Sequence, residues 1–199
     1  MEPKVVAIVQ ARMASTRYPG KVLADIEGEP LLVREVDRAQ RAEFVDQLVV
    51  ATTNEPEDEP IAELCRDRGY ACYRGSALDV LDRFYQAATL HQADIVVRLT
   101  GDCPLIDPGL IDQTIAAFRA AEPPVDFAAN RLPDEKTFPV GTDTEVCTIA
   151  ALERTWIEAT QPHHREHVMP YLYEDPDRFR SLLVRSDTDY SHYRWTVDT

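Results

Sequence analysis

The sequence predicts an α/β domain built on a mainly parallel sheet. Three observations carry that expectation. Short runs rich in β-branched and other apolar residues recur along the first two thirds of the chain, separated by segments with helical apolar spacing. Each run stops in a polar or glycine-bearing loop, as strands buried on both faces do at the edge of a sheet. Strands that alternate with helices also need crossover connections, which lay helices over both faces. At 199 residues the chain can bury one such core without disulfide or metal staples.

Residues 5–10, Val5-Val6-Ala7-Ile8-Val9-Gln10, give the first predicted strand. Residues 30–39 recur at helical spacing, with Pro30 suited to a first helical turn. Residues 45–52 read as the second strand, ending in Thr52-Thr53-Asn54. A helix opens at Pro60, and Gly69 is placed to end it. Residues 71–74 are a short strand before Gly75-Ser76, and residues 79–90 are amphipathic. Residues 94–99 supply the next strand, and residues 108–121 a further helix with Asp107 as its N-cap. After Pro123-Pro124 the alternation loosens. A strand is expected at 125–129, a turn-rich loop at 131–141, a strand at 144–148 and a helix at 150–160. A polar helix around 164–174 follows, then strands near 179–184 and 193–197. No internal repeat or linker divides the chain, so residues 1–199 are expected to form one domain. Residues 130–175 read as an insertion facing a substrate or a partner subunit.

Composition narrows the function classes. A hydrophobic fraction of 44% and a charged fraction of 28% suit a soluble globular protein. The net charge of -14 opposes nucleic-acid binding, because the phosphate backbone would be repelled. One nucleotide remains compatible with it, since local cations and a metal ion can outweigh the global field. No apolar run approaches the length of a membrane span. Met1-Glu2-Pro3-Lys4 leads directly into the first strand, so no signal peptide is expected. Cys65, Cys72, Cys103 and Cys147 form no C-x-x-C pair and read as reduced thiols of a cytoplasmic protein, without zinc.

The chemistry concentrates after the first strand. The loop from Gln10 to Lys21 carries Arg12, Arg17 and Lys21, the hydroxyls of Ser15 and Thr16, and the Pro19-Gly20 turn. Three cations at the carboxyl end of a strand suit an anion, above all a polyphosphate. A solvated turn would look similar in isolation. What favours a site is Asp102, in Thr100-Gly101-Asp102, just past the strand at 94–99. Parallel strands end on one shared rim, so Asp102 should face the cationic loop. Magnesium holds phosphates through one or two carboxylates and several waters, which suits Asp102, with Asp198 a second candidate. The loop is not a Walker A motif, since Val22 follows Gly20-Lys21, and no G-x-G-x-x-G occurs. His163 and His167 stand four apart but lack the H-E-x-x-H order, so polar contacts are expected there and not zinc.

Several stretches together resemble a known family. They are Gln10-Ala11-Arg12, Ser15-Thr16-Arg17, Pro19-Gly20-Lys21, Gly75-Ser76, Asp79-Val80-Leu81 and Thr100-Gly101-Asp102-Cys103-Pro104. The resemblance is to the acidic-sugar cytidylyltransferases, the group of the CMP-sialate and CMP-Kdo synthetases. Gly141-x-Asp143-x-Glu145, Arg165-Glu166-His167 and Arg194-Trp195-Thr196-Val197-Asp198 point to its spore-coat polysaccharide biosynthesis branch.

That resemblance implies a Rossmann-like three-layer α/β/α nucleotidyltransferase domain, similar to the GT-A fold, that uses CTP and Mg2+. Arg12, Lys21 and Asp102 would be catalytic, with Arg17 a further phosphate contact. Gln10, Ala11, Thr100 and Gly101 would line the nucleotide site, and Arg74, Gly75, Ser76 and Asp79 would lie near base and ribose. Gly141, Asp143 and Glu145 would border the sugar, while His167 and Tyr171 would meet sugar or partner. Asp102 and Asp198 would hold the metal, and a homodimer follows by analogy. Relatives continue past Thr199 into another helix, so an incomplete C-terminal end is expected. Two other readings fit the residues. One is a GT-A-type glycosyltransferase using a nucleotide sugar, although Cys103-Pro104 replaces its Asp-x-Asp motif; the other is a non-catalytic nucleotide-binding module.

Overall fold

Period-two burial along Val5–Gln10 (β1) organises the molecule. In the computed structural model, which describes residues 2–15 and 17–197, Val5, Val6, Ala7, Ile8 and Val9 are all fully buried. Val5, Ala7 and Val9 face one core, and Val6 and Ile8 face another. Successive side chains of a strand point to opposite faces, so a strand apolar at every position must be covered twice.

The covering helices supply the two cores. Leu31–Ala39 (α1), Glu59–Arg68 (α2) and Pro108–Ala120 (α4) contribute Leu32, Val36, Ile61, Ile111 and Ile115 to the first. Val80–Leu90 (α3), Ile149–Glu158 (α5) and Pro170–Tyr173 (α7) contribute Leu81, Phe84, Leu152 and Leu172 to the second. The result is the expected three-layer α/β/α arrangement.

Among the described residues the main sheet has seven strands. From edge to edge these are Ala71–Gly75 (β5), Gln47–Thr53 (β4), β1, Ile95–Thr100 (β6), Glu145–Thr148 (β8), Phe127–Ala129 (β7) and Ser181–Leu183 (β9). Strand β1 pairs in parallel with β4 and β6, and the other parallel pairs are β4 with β5 and β7 with β9. Only β8 runs against its neighbours, β6 and β7. The register Gln10↔Thr100 brings the carboxyl ends of β1 and β6 side by side. That pairing places the site.

Local chemistry fixes the ends of the helices. Asp107 Oδ1 accepts from the amides of Gly109 and Leu110 at the start of α4, as its sequence position predicts. Gly69 closes α2 at φ +71. Three expectations are revised. Pro30 lies just before α1, in a small hairpin of Asp25–Ile26 (β2) and Glu29–Pro30 (β3) that two-residue strands are too short to announce. The polar helix expected at 164–174 is two pieces, Pro162–His167 (α6) and α7, interrupted at Val168. The segment at 193–197 pairs only through an isolated bridge between Arg194 and Val140. No described helix is long and apolar enough to cross a membrane.

Candidate active site

The site is built where β1 and β6 end. Gly101 N donates to Gln10 O at 2.9 Å, and Asp102 N turns back to Thr100 O at 2.7 Å. Cys103 N donates to Glu35 Oε2 at 3.0 Å, and Val197 N to Asp102 O at 3.0 Å. These bonds hold the Asp102 turn from three sides. The loop after β1 is tied down as well. Met13 N donates to Asp58 Oδ1 at 2.6 Å, and Gly20, at φ +73, returns its amide to Met13 O at 2.9 Å. The loop therefore folds back over the sheet edge, and Lys21 Nζ lies 2.9 Å from Asp102 Oδ2. The cationic loop and the aspartate face each other across one crevice.

Two adjoining cavities open from that contact. The first, about 360 Å³, is lined by Gln10, Ala11, Arg12, Arg17, Lys21, Arg83, Thr100, Gly101 and Asp102. Its cations are concentrated in a chain of net charge -14, which marks a local anion site. The second, about 440 Å³, contains Arg98 paired with Glu145 and Arg131 paired with Asp143 at 2.9 Å. Burial pushes the Glu145 carboxyl pKa up, against the pull of Arg98. Thr100, Asp102 and His167 line both cavities. A cation-lined cavity and a polar cavity thus meet at a carboxylate.

Comparison with known proteins decides the family. A family model described as cytidylyltransferase matches residues 6–196. The chain belongs to the cytidylyltransferase family. It is 32% identical over 202 residues to the spore coat polysaccharide biosynthesis protein SpsF of Bacillus subtilis, covering 98% of this chain and 81% of that protein. It is 42% identical over 115 residues to the 3-deoxy-manno-octulosonate cytidylyltransferase of Geobacter metallireducens, covering 57% and 44% of the two chains. A solved cytidylyltransferase from Leptospira borgpetersenii superposes with a TM-score of 0.93 at 36% identity, covering 100% of this chain and 82% of that one. This cytidylyltransferase accordingly has the nucleotidyltransferase form of the α/β/α fold.

The residues expected at the site divide into three groups. Gln10, Ala11, Arg12, Arg17, Lys21, Thr100, Gly101 and Asp102 come together in the first cavity. Asp143, Glu145 and His167 line the second, and Gly141 donates its amide to Asp143 Oδ2 at 2.9 Å. Gly141 is at φ +100, and a Cβ there would lie 2.8 Å from the Trp195 carbonyl carbon. The third group lines neither cavity. Arg74 pairs with Glu59 and donates to Thr53 O at 2.9 Å. Asp79 caps α3 and is gripped by Arg165. Ser76 Oγ accepts from Asp79 N, while Gly75 packs under Tyr73 and Arg83. Tyr171 donates its hydroxyl to Glu158 at 2.9 Å. Asp198 lies outside the described residues.

Arg83 is a cavity residue that sequence reasoning missed, as are Glu166 in the first cavity and Arg98 in the second. Arg83 sits on the buried face of α3, 2% exposed, with one guanidinium nitrogen on Ser76 O and its Nε without a partner. Burial, reinforced by nearby Arg12, pushes its pKa down to about 10. The available signal was an arginine on the apolar stripe of a helix, between Val80 and Ala87. At the mouth of the second cavity, His163 and His164 both reach Glu174 Oε2, at 3.1 and 2.8 Å. Their ligand atoms lie within 4.8 Å of one another, close enough to hold a metal.

Behind Asp102, Glu35 is wholly buried in α1, and its Oε1 has no partner. Desolvation holds its pKa well above the usual carboxylate range, opposed by the Cys103 amide. The folded protein keeps this proton, whereas the unfolded chain releases it at ordinary carboxylate pH. Stability from Glu35 is therefore full at acidic pH and lost as pH rises through the folded pKa. Glu35→Gln keeps the acceptor for Cys103 without the charge. Thermal melts of the variant and parent should nearly coincide at about pH 4, below the unfolded carboxylate pKa. At pH 8 the variant should melt higher, by about 2–4 °C per kcal/mol recovered. A constant difference across that range would contradict the assignment.

Proposed function

We propose that this cytidylyltransferase joins CTP to a sugar hydroxyl, giving a CMP-sugar and pyrophosphate for surface polysaccharide synthesis. The observation that carries this reading is the 2.9 Å contact of Lys21 with Asp102 at the junction of the two cavities. The triphosphate would lie among Arg12, Arg17, Lys21 and Arg83, and the sugar beside Asp143, Glu145 and His167. The hydroxyl oxygen attacks the α-phosphorus in line, and pyrophosphate leaves. No protein nucleophile is needed. The chain contributes alignment and positive charge set in advance where negative charge develops.

Asp102 fits a hard divalent cation. Its carboxylate is partly accessible on the rim, already faces one cation, and adjoins the phosphate cavity, so one protein carboxylate plus phosphate oxygens and water could complete a magnesium shell. Asp102, with Asp198 as its second carboxylate, would hold Mg2+, which when bound neutralises phosphate charge. The acidic-sugar acceptor implied by the family resemblance would face Arg131 and His167. A cytoplasmic homodimer completes the reading.

Nucleotide choice is tested by thermal shift with CTP, UTP, ATP and GTP, each with Mg2+. A ligand at about 100 times its Kd should stabilise the fold by about 2.7 kcal/mol, so CTP is expected to raise Tm by several degrees above the other three. No shift with any nucleotide would remove the reading.

A further inference from the structure

We propose that His167 is the catalytic base that takes the proton from the attacking sugar hydroxyl. The assignment rests on the cytidylyl-transfer reading and adds a step that reading leaves open. It starts from position. Only Thr100, Asp102 and His167 line both cavities among the described residues, so a hydroxyl from one side and an α-phosphate from the other must meet beside them. Asp102 is engaged by Lys21, and the Thr100 hydroxyl lies 3.4 Å from Cys103 Sγ. His167 is exposed to the cavities, and neither ring nitrogen is hydrogen-bonded to another described residue. An imidazole is the side chain whose ordinary basicity best suits proton transfer near neutral pH.

The backbone gives a second, independent reason. Val168 adopts φ 71 and ψ -60, and Met169 N donates to His167 O at 2.9 Å across it. This is the rare positive-φ γ-turn, and for a β-branched residue it is strained by about 1–3 kcal/mol. Val168 and Met169 are fully buried, so the turn drives them into the core while leaving His167 at the junction. On the other side, Val168 N donates to His164 O at 3.0 Å and keeps His167 on the last turn of α6. The chain tolerates a disfavoured conformation at the bend directly after His167, where the backbone leaves α6 for the core.

The step balances. The hydroxyl O–H bond breaks as its oxygen bonds the α-phosphorus, and the proton passes to an imidazole nitrogen of His167. The bond from the α-phosphorus to the bridging oxygen breaks, and its electron pair leaves with pyrophosphate. The imidazolium then returns its proton to solvent, to which the residue is open.

Pyrophosphate release from CTP and Mg2+ would be followed with 3-deoxy-manno-octulosonate, N-acetylneuraminate and neutral hexoses as probe acceptors. His167→Ala is expected to lower kcat by about 100- to 10,000-fold while KM for CTP changes by less than about threefold. Added imidazole should restore the rate by about tenfold or more, and substituted imidazoles should do so in order of their basicity. His167→Gln, which keeps bulk and polarity without basicity, should be as slow as His167→Ala before rescue. A variant within about threefold of the parent, a loss confined to KM, or no response to any imidazole would overturn the assignment. A parent chain inert toward every acceptor would instead overturn cytidylyl transfer, and this role with it.

Discussion

Asp102→Asn is expected to lower metal-dependent pyrophosphate release by about two to three powers of ten while leaving the chain folded. The turn that carries Asp102 is held by main-chain bonds, Gly101 N to Gln10 O, Asp102 N to Thr100 O and Val197 N to Asp102 O, and none of them needs the carboxylate. Asparagine fills the same space and can still accept from Lys21 Nζ. What disappears is the negative charge, and a neutral amide oxygen is a poor substitute for carboxylate toward a hard divalent cation. Lys21, its side chain 12% exposed, then loses its counter-ion, which lowers Tm but leaves its hydrogen bond to the amide oxygen. Loss of one such electrostatic contact lowers turnover by about two to three powers of ten. The check is pyrophosphate release across a Mg2+ titration, beside thermal melts of variant and parent. Turnover at the parental rate would remove the metal role from Asp102.

The part of this site that was legible in the sequence is the part set by strand ends. Apolar runs reveal buried strands, and parallel strands stop on a common edge, so Arg12 and Asp102 could be brought together before any coordinates. Apolar runs carry no direction, so the reversal of β8 between β6 and β7 was not readable. Arg83 was hidden because its helix reads as ordinary amphipathic surface. Only the packing of α3 against β1 and β4 turns that face toward the cation-lined cavity. The break at Val168 is set by distant packing, since a polar helix pattern continues through it while burial of Met169 and Leu172 forces the bend. The expectation for Arg74 and Asp79 came from resemblance alone. Their side chains are committed to Glu59 and Arg165, and neither lines a cavity.

Gly101→Ala should damage both stability and turnover, because two main chains touch at this position. A Cβ on Gly101 would lie 2.6 Å from Gln10 O, the same carbonyl that accepts the Gly101 amide, and 3.3 Å from Ala11 Cβ. The obstruction is backbone, so no rotamer change can relieve it. Either β1 and β6 part at Gln10↔Thr100, or the Asp102 turn swings outward. Overpacking of this kind costs about 1–3 kcal/mol, which for a chain of this size lowers Tm by about 2–4 °C per kcal/mol. The functional loss should exceed that. A shift of about 1 Å at a positioned group can cost about 100-fold in rate, so turnover well below Tm should fall far more than the unfolded fraction explains. Raising Mg2+ should recover little of it, because both crevice walls remain charged but no longer face each other. If Gly101→Ala matched the parent in Tm and in rate, the joint between the cationic loop and Asp102 would be looser than a 2.9 Å contact requires.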